Sequence, residues 1–164
     1  MNMRRTILIG CAAVAAALPL RAQDKATEAS LREAVKRYVA AWNSHDVQAW
    51  SSFLTDDIWY TEAIDYYQRM KGRQAVLAFF GDTVKTSDLV WDVQQVKMMP
   101  DGTATVVVRH VANILPKTGE KYASSFESVP SVARWRMEGD RWRMFYFTSH
   151  KGSALDVMQK DGIK

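Results

Sequence analysis

Between Leu89 and Ser149 the chain is written as four strand-like stretches separated by three turns, and this run constrains the fold more than anything else in the sequence. Leu89–Met99 and Thr103–Leu115 flank Pro100-Asp101-Gly102, and the second of them is dense in β-branched residues. Lys117-Thr118-Gly119-Glu120 then leads into Tyr122–Met137, and Glu138-Gly139-Asp140 leads into Arg141–Ser149. Short turns rich in Gly, Asp and Pro between alternating apolar runs specify hairpins, so the second half of the chain is an antiparallel meander. Pro130 sits inside the third stretch, where its missing N–H marks a bulge or an edge.

The first half carries helical periodicity. Within Asp24–Asn43, Leu31, Val35, Tyr38, Val39 and Trp42 recur at three- and four-residue spacing, which predicts an amphipathic helix. Asp46 is an N-cap for a second, short helix through Phe53. Thr55-Asp56-Asp57 reads as a turn, Ile58–Ala63 as a strand and Ile64–Lys71 as a loop. Gly72 opens a third helix, with Ala75, Val76, Phe79 and Phe80 as its apolar face, ending near Gly81–Thr86. The expected class is α+β: a curved antiparallel sheet with three helices, forming a cone-shaped barrel around one pocket. Such blind cavities are common sites for small molecules.

The leader lies outside this domain. Met1–Arg5 holds two arginines, Thr6–Leu20 is apolar and Ala-rich, and Leu20-Arg21-Ala22 offers a cleavage site before Gln23. This three-part pattern predicts a signal peptide over residues 1–22, and hence a periplasmic or secreted protein. The domain is expected over 23–152, with a weakly specified tail over 153–164. Leu8-Ile9-Gly10-Cys11 resembles a lipobox, but few apolar residues precede Cys11 and the apolar run continues past it. Arg4-Arg5 is a twin arginine whose surroundings fit the full export motif poorly, so it serves as the positive end of the leader.

Cleavage changes what composition says. The whole chain is +4, but three arginines and no acid leave with the leader. Lys plus Arg falls from 22 to 19 against 18 acidic residues, leaving +1, so charge gives no reason to expect nucleic acid. The single cysteine, Cys11, leaves too. Disulfides, thiolate catalysis and cysteine metal sites are thereby excluded from the mature chain. His45, His110 and His150 show no metal-ligand spacing, and no phosphate loop or nucleotide fingerprint is present, so neither metal nor cofactor is expected.

Three segments together resemble the nuclear transport factor two-like superfamily: Arg37-Tyr38-Val39-Ala40-Ala41-Trp42-Asn43-Ser44-His45-Asp46, Phe53-Leu54-Thr55-Asp56-Asp57, and Gly72-Arg73 opening a helix. The SnoaL-like polyketide cyclases and the ketosteroid isomerases are the most similar branches, and Gly139-Asp140-Arg141-Trp142-Arg143-Met144 is similar to their last hairpin. The resemblance implies the cone fold, a homodimer and a hydrophobic ligand. It does not choose among isomerase, cyclase, dehydratase, hydrolase and binding roles. By resemblance to the isomerases, Tyr38 stands where an oxyanion-stabilising tyrosine stands, and Glu62 where the general base closes the first strand, five residues after Asp57. The second donor's place, shortly before Trp135-Arg136, falls on Ala133, so that donor is missing. Its absence favours a lyase or dehydratase over a steroid isomerase.

The residues themselves leave alternatives open. Glu62, facing an apolar cavity, would have a raised pKa and could move a proton next to a carbonyl. It could equally form an ion pair at the rim. Strand alternation puts Tyr60 on the same face as Glu62. Tyr38 is either an oxyanion donor or a core tyrosine. Arg109 and His110 are adjacent in a strand and must face opposite sides. Register against the isomerases places Arg109 inward, paired with Glu62 or a ligand carboxylate; it could equally snorkel at the rim, and a His110 facing inward instead would be an alternative base. The same register turns Trp135 to the cavity, where with Tyr60, Tyr66 and Tyr67 it would make an aromatic slot.

The expected activity is general-base proton transfer, of lyase, dehydratase or isomerase type, on a hydrophobic aromatic or polycyclic compound. The alternatives are a non-catalytic periplasmic binder and a protein-interaction module. No nucleic acid, and no membrane once the leader is gone, is expected as a partner.

Overall fold

The computed structural model describes residues 26–63, 68–114 and 124–150, with side chains except at positions 62, 63, 114, 124–130 and 150. The leader, Tyr66 and Tyr67, the turn at Lys117–Glu120 and the tail lie outside the described residues.

Helix α1, Glu28–Asn43, starts at a capping box: Thr27 accepts from the Ser30 backbone N–H, and the Ser30 hydroxyl accepts from that of Thr27. Leu31, Ala34, Val35, Tyr38 and Trp42 form its buried stripe. At its far end Trp42 Nε1 donates to the Ser87 hydroxyl at 3.1 Å, while the Asn43 amide both donates to and accepts from the Leu89 backbone. These bonds fix α1 along the first strand of the meander. Helix α2, Val47–Ser51, begins at Asp46, whose carboxylate accepts from the Gln48 and Ala49 N–H groups. His45 joins the two helices with a positive φ of 58° and is half-buried. Its Nδ1 lies 3.0 Å from the Val84 carbonyl.

Six strands form one curved, unclosed sheet in the order β2-β1-β6-β5-β4-β3. They are β1 (Leu54–Ala63), β2 (Gln68–Lys71), β3 (Ser87–Met98), β4 (Ala104–Ile114), β5 (Ser124–Glu138) and β6 (Arg141–His150). Helix α3, Arg73–Thr86, connects β2 to β3 and buries Val76, Phe80 and Val84, a four-residue stripe, while Ala75 stays exposed.

Three expectations change. Part of the stretch read as a loop, Gln68–Lys71, is the edge strand β2, paired antiparallel with β1. The sheet contains one parallel pair, β1 with β6, because the chain crosses the whole sheet between them. Thr55–Asp57 belong to β1, at an irregularity between Leu54 and Trp59 in its pairing with β6. Asp57 holds Arg136 by two bonds of 2.7 and 3.1 Å, and Asp56 pairs with Arg73. These aspartates tie elements together and do not form a free turn. At Pro130 the ladder is interrupted: Val108 pairs with Ser131 and His110 with Ser128, so two residues of β5 oppose Arg109. A residue with no N–H to give the ladder sits naturally in such a bulge.

Candidate functional site

The concave face of the sheet and the helices enclose a core rich in aromatic side chains. Tyr38 is 1% exposed, with Trp91 at 4.7 Å between ring centroids, and Trp135 and Phe53 meeting it edge-on at 5.8 and 6.1 Å. Burial pushes its phenol well above the ordinary tyrosine range. The nearby Trp50 indole acts weakly against this, without reaching full hydrogen-bond geometry. Tyr38 is therefore protonated at any ordinary pH and can act only as a neutral hydroxyl.

Trp91 and His110 are direct cross-strand partners on β3 and β4. Trp91 Nε1 lies 3.0 Å from His110 Nδ1. An indole N–H only donates, so His110 Nδ1 accepts, and the proton of the neutral imidazole sits on Nε2. Burial pushes the His110 pKa down to about 3. Phe147 stacks on Trp91 at 5.4 Å with 8° between planes and lies 5.6 Å from the His110 ring. Tyr60, the register partner of Phe147, continues the wall at 4.7 Å and touches Phe80 at 4.8 Å.

The inner face changes character along the strands. Val106 and Val108 give way to His110 on β4. Ala133 gives way to Ser131 on β5, and Phe147 to Ser149 on β6. Both serines are fully buried. Three neighbouring strands thus each place a polar side chain toward one end of the interior, on β4 with Ala112 beyond it. On β1, Glu62 is the register partner of Ser149 and stands two residues beyond Tyr60. Its side chain lies outside the described residues, so its bonding is not part of this geometry.

Tyr38, Tyr60, His110 and Trp135 thus share one interior. Arg109 does not. It is exposed, because β4 buries Ala104, Val106, Val108, His110 and Ala112 in strict alternation, leaving Arg109 on the convex face. The inward assignment of Arg109 is thereby corrected: a guanidinium is far costlier to bury than a neutral imidazole bonded to an indole. Ala133 is completely buried and apolar, so its position supplies no donor. The Trp135 indole N–H is buried, with no hydrogen-bond partner among the described residues. Sequence reasoning passed over Trp91, Phe147, Ser131 and Ser149. Their signal was there in the period-two pattern, where a polar residue follows apolar ones on the inward face, but it needs the cross-strand register to be seen.

On the convex face Trp59, Val107 and Phe145 pack around Val132 and Tyr146, and Arg134 and Arg136 lie over the Phe145 ring.

The profile of the SnoaL-like domain family matches residues 35–145. No curated protein matches the chain. Among solved structures, an NTF-2-like protein of unknown function from Shewanella oneidensis superposes with a TM-score of 0.58 at 15% identity, covering 74% of this chain and 97% of that one. A conserved protein from Planctomyces limnophilus gives 0.61 at 16% identity, covering 75% and 94%. A domain of unknown function with a cystatin-like fold from Nostoc punctiforme gives 0.59 at 20% identity, covering 85% and 88%. At these identities the structural likeness establishes the fold, and the profile match over most of the chain establishes the family. The chain belongs to the SnoaL-like domain family, within the nuclear transport factor two-like superfamily.

Proposed function

We propose that the chain is an exported, homodimeric enzyme that moves a proton on an apolar carbonyl compound of aromatic or polycyclic shape, with a lyase, dehydratase or isomerase outcome. The reading is supported above all by the polar end of the aromatic interior, where His110, Ser131 and Ser149 lie on neighbouring strands and Ser149 pairs with Glu62 of β1. The aromatic wall of Tyr60, Phe147 and Trp91 suits a flat substrate. Two neutral donors, the Tyr38 phenol and the His110 Nε2–H, suit a developing enolate oxygen. On this reading His110 takes the part left vacant by Ala133. It serves as a donor, since an imidazole whose pKa is about 3 is a feeble base and is not a cation at neutral pH. The base is then Glu62, whose backbone pairs with Ser149 at this end of the sheet.

A phenolate of the same shape imitates the enolate and is the natural probe. The test uses protein recovered from the periplasm, expected to begin at Gln23 and to elute as a dimer. It is titrated with 2-naphthol, read by tryptophan fluorescence. We expect saturable binding, weakened about tenfold or more in Tyr38→Phe by loss of one hydrogen bond to a charged oxygen. Binding that is absent, or equal in both proteins, removes the oxyanion site and the proposal with it.

A further inference from the structure

A groove of about 540 Å³ runs between α1 and β3. Val35, Val39 and Ala40 from the helix and Trp91 and Val93 from the strand make its apolar floor. Arg32 and Lys36 stand on its rim, one helical turn apart, so both heads can reach a single group. Their acidic partners, Glu28 at 2.8 Å and Glu33 at 3.9 Å, are not among the described residues that line the groove. Both are exposed surface pairs of the kind a ligand carboxylate displaces at little cost. Asn43, at the end of the groove, has its amide engaged with the Leu89 backbone and serves to hold helix and strand at this spacing.

We propose that this groove is a second binding site, for a small amphipathic carboxylate. The tail lies on Val35, Val39, Trp91 and Val93, and the carboxylate sits between Arg32 and Lys36. The volume and the mostly apolar lining with a few charged groups match small-molecule sites. The two cations, whose partners Glu28 and Glu33 sit in exposed, exchangeable surface pairs, select an anion over a neutral lipid, and the guanidinium fits a carboxylate with two parallel bonds. The floor favours an alkyl or aryl chain over inorganic phosphate. Trp91 connects this groove to the interior: one part of its ring lines the floor, and its Nε1 holds His110. Occupancy is therefore expected to register at the Trp91 indole. The binding claim does not depend on the proposed proton-transfer chemistry.

The experiment titrates the folded protein with sodium octanoate, following the indole ¹⁵N–¹H signal of Trp91, assigned with Trp91→Phe. We expect a saturable shift of that signal. In the double variant Arg32→Gln, Lys36→Gln, whose changes are both at the surface, the Kd should rise about tenfold or more. Tyr38→Phe should leave the octanoate Kd unchanged, which separates this site from the interior one, and 1-octanol should bind both proteins equally and weakly. Circular dichroism confirms that the variants fold. An octanoate Kd unaffected by the double variant, a Trp91 signal that does not move, or association only with phospholipid vesicles would each overturn the proposal.

Discussion

Burying an imidazole is cheap only while it stays neutral. His110 is 5% exposed, with one nitrogen committed to Trp91, so its protonation in the folded protein waits until about pH 3, against about 6.5 in the unfolded chain. In that window the unfolded state binds the extra proton, so stability is fully present above pH 6.5 and is lost as pH falls. His110 alone contributes a loss approaching about 1.4 kcal/mol per pH unit within the window. His110→Gln keeps an acceptor for Trp91 but does not titrate. Urea unfolding between pH 6.5 and 5 should therefore show a shallower pH slope for the variant, and equal slopes would place His110 in water. At this scale the sequence showed less than half of the site. Adjacent Arg109 and His110 had to face opposite ways, but which one faced inward depended on β4's alternation. Tyr38 was legible as an inward residue. Its protonation state depends on how completely Trp50, Trp91 and Trp135 exclude water, which no local pattern encodes.

Helices and strands emerge where local chemistry and tertiary packing agree. The meander was legible because Pro100-Asp101-Gly102 and Glu138-Gly139-Asp140 carry the residues that turns need, and α1 because its apolar spacing coincides with the face it buries. β2 was not. Its four residues, Gln68-Arg69-Met70-Lys71, bury only Met70, and an edge strand this short is defined by its partner β1, not by its own pattern. The entry to α3 is more specific than it looked in sequence. Gly72 has φ 89° and ψ 145°, a conformation side chains rarely adopt, and its N–H donates to the Ile58 carbonyl at 2.7 Å. An added Cβ would meet nothing closer than 3.6 Å, so the cost of Gly72→Ala is backbone strain, not collision. We expect about 1–3 kcal/mol of destabilisation, read from the urea midpoint. A neutral substitution would show that the loop can relax.

For the whole molecule, the class and the cone were readable because a meander preceded by amphipathic helices has few ways to close over its own apolar face. The parallel seam between β1 and β6 was not readable, since it records where two distant strands meet. It matters for function, because it sets Glu62 opposite Ser149 and beside the end at which β4, β5 and β6 each place a polar side chain.

The central claim is that this polar end moves protons on carbon. The most direct test follows deuterium uptake next to the carbonyl of 2-decalone in heavy water by proton NMR, with wild type and Glu62→Gln. The account predicts exchange accelerated by the wild-type protein and slowed about 10²- to 10⁴-fold in the variant. No acceleration, or acceleration that Glu62→Gln leaves intact, would contradict it.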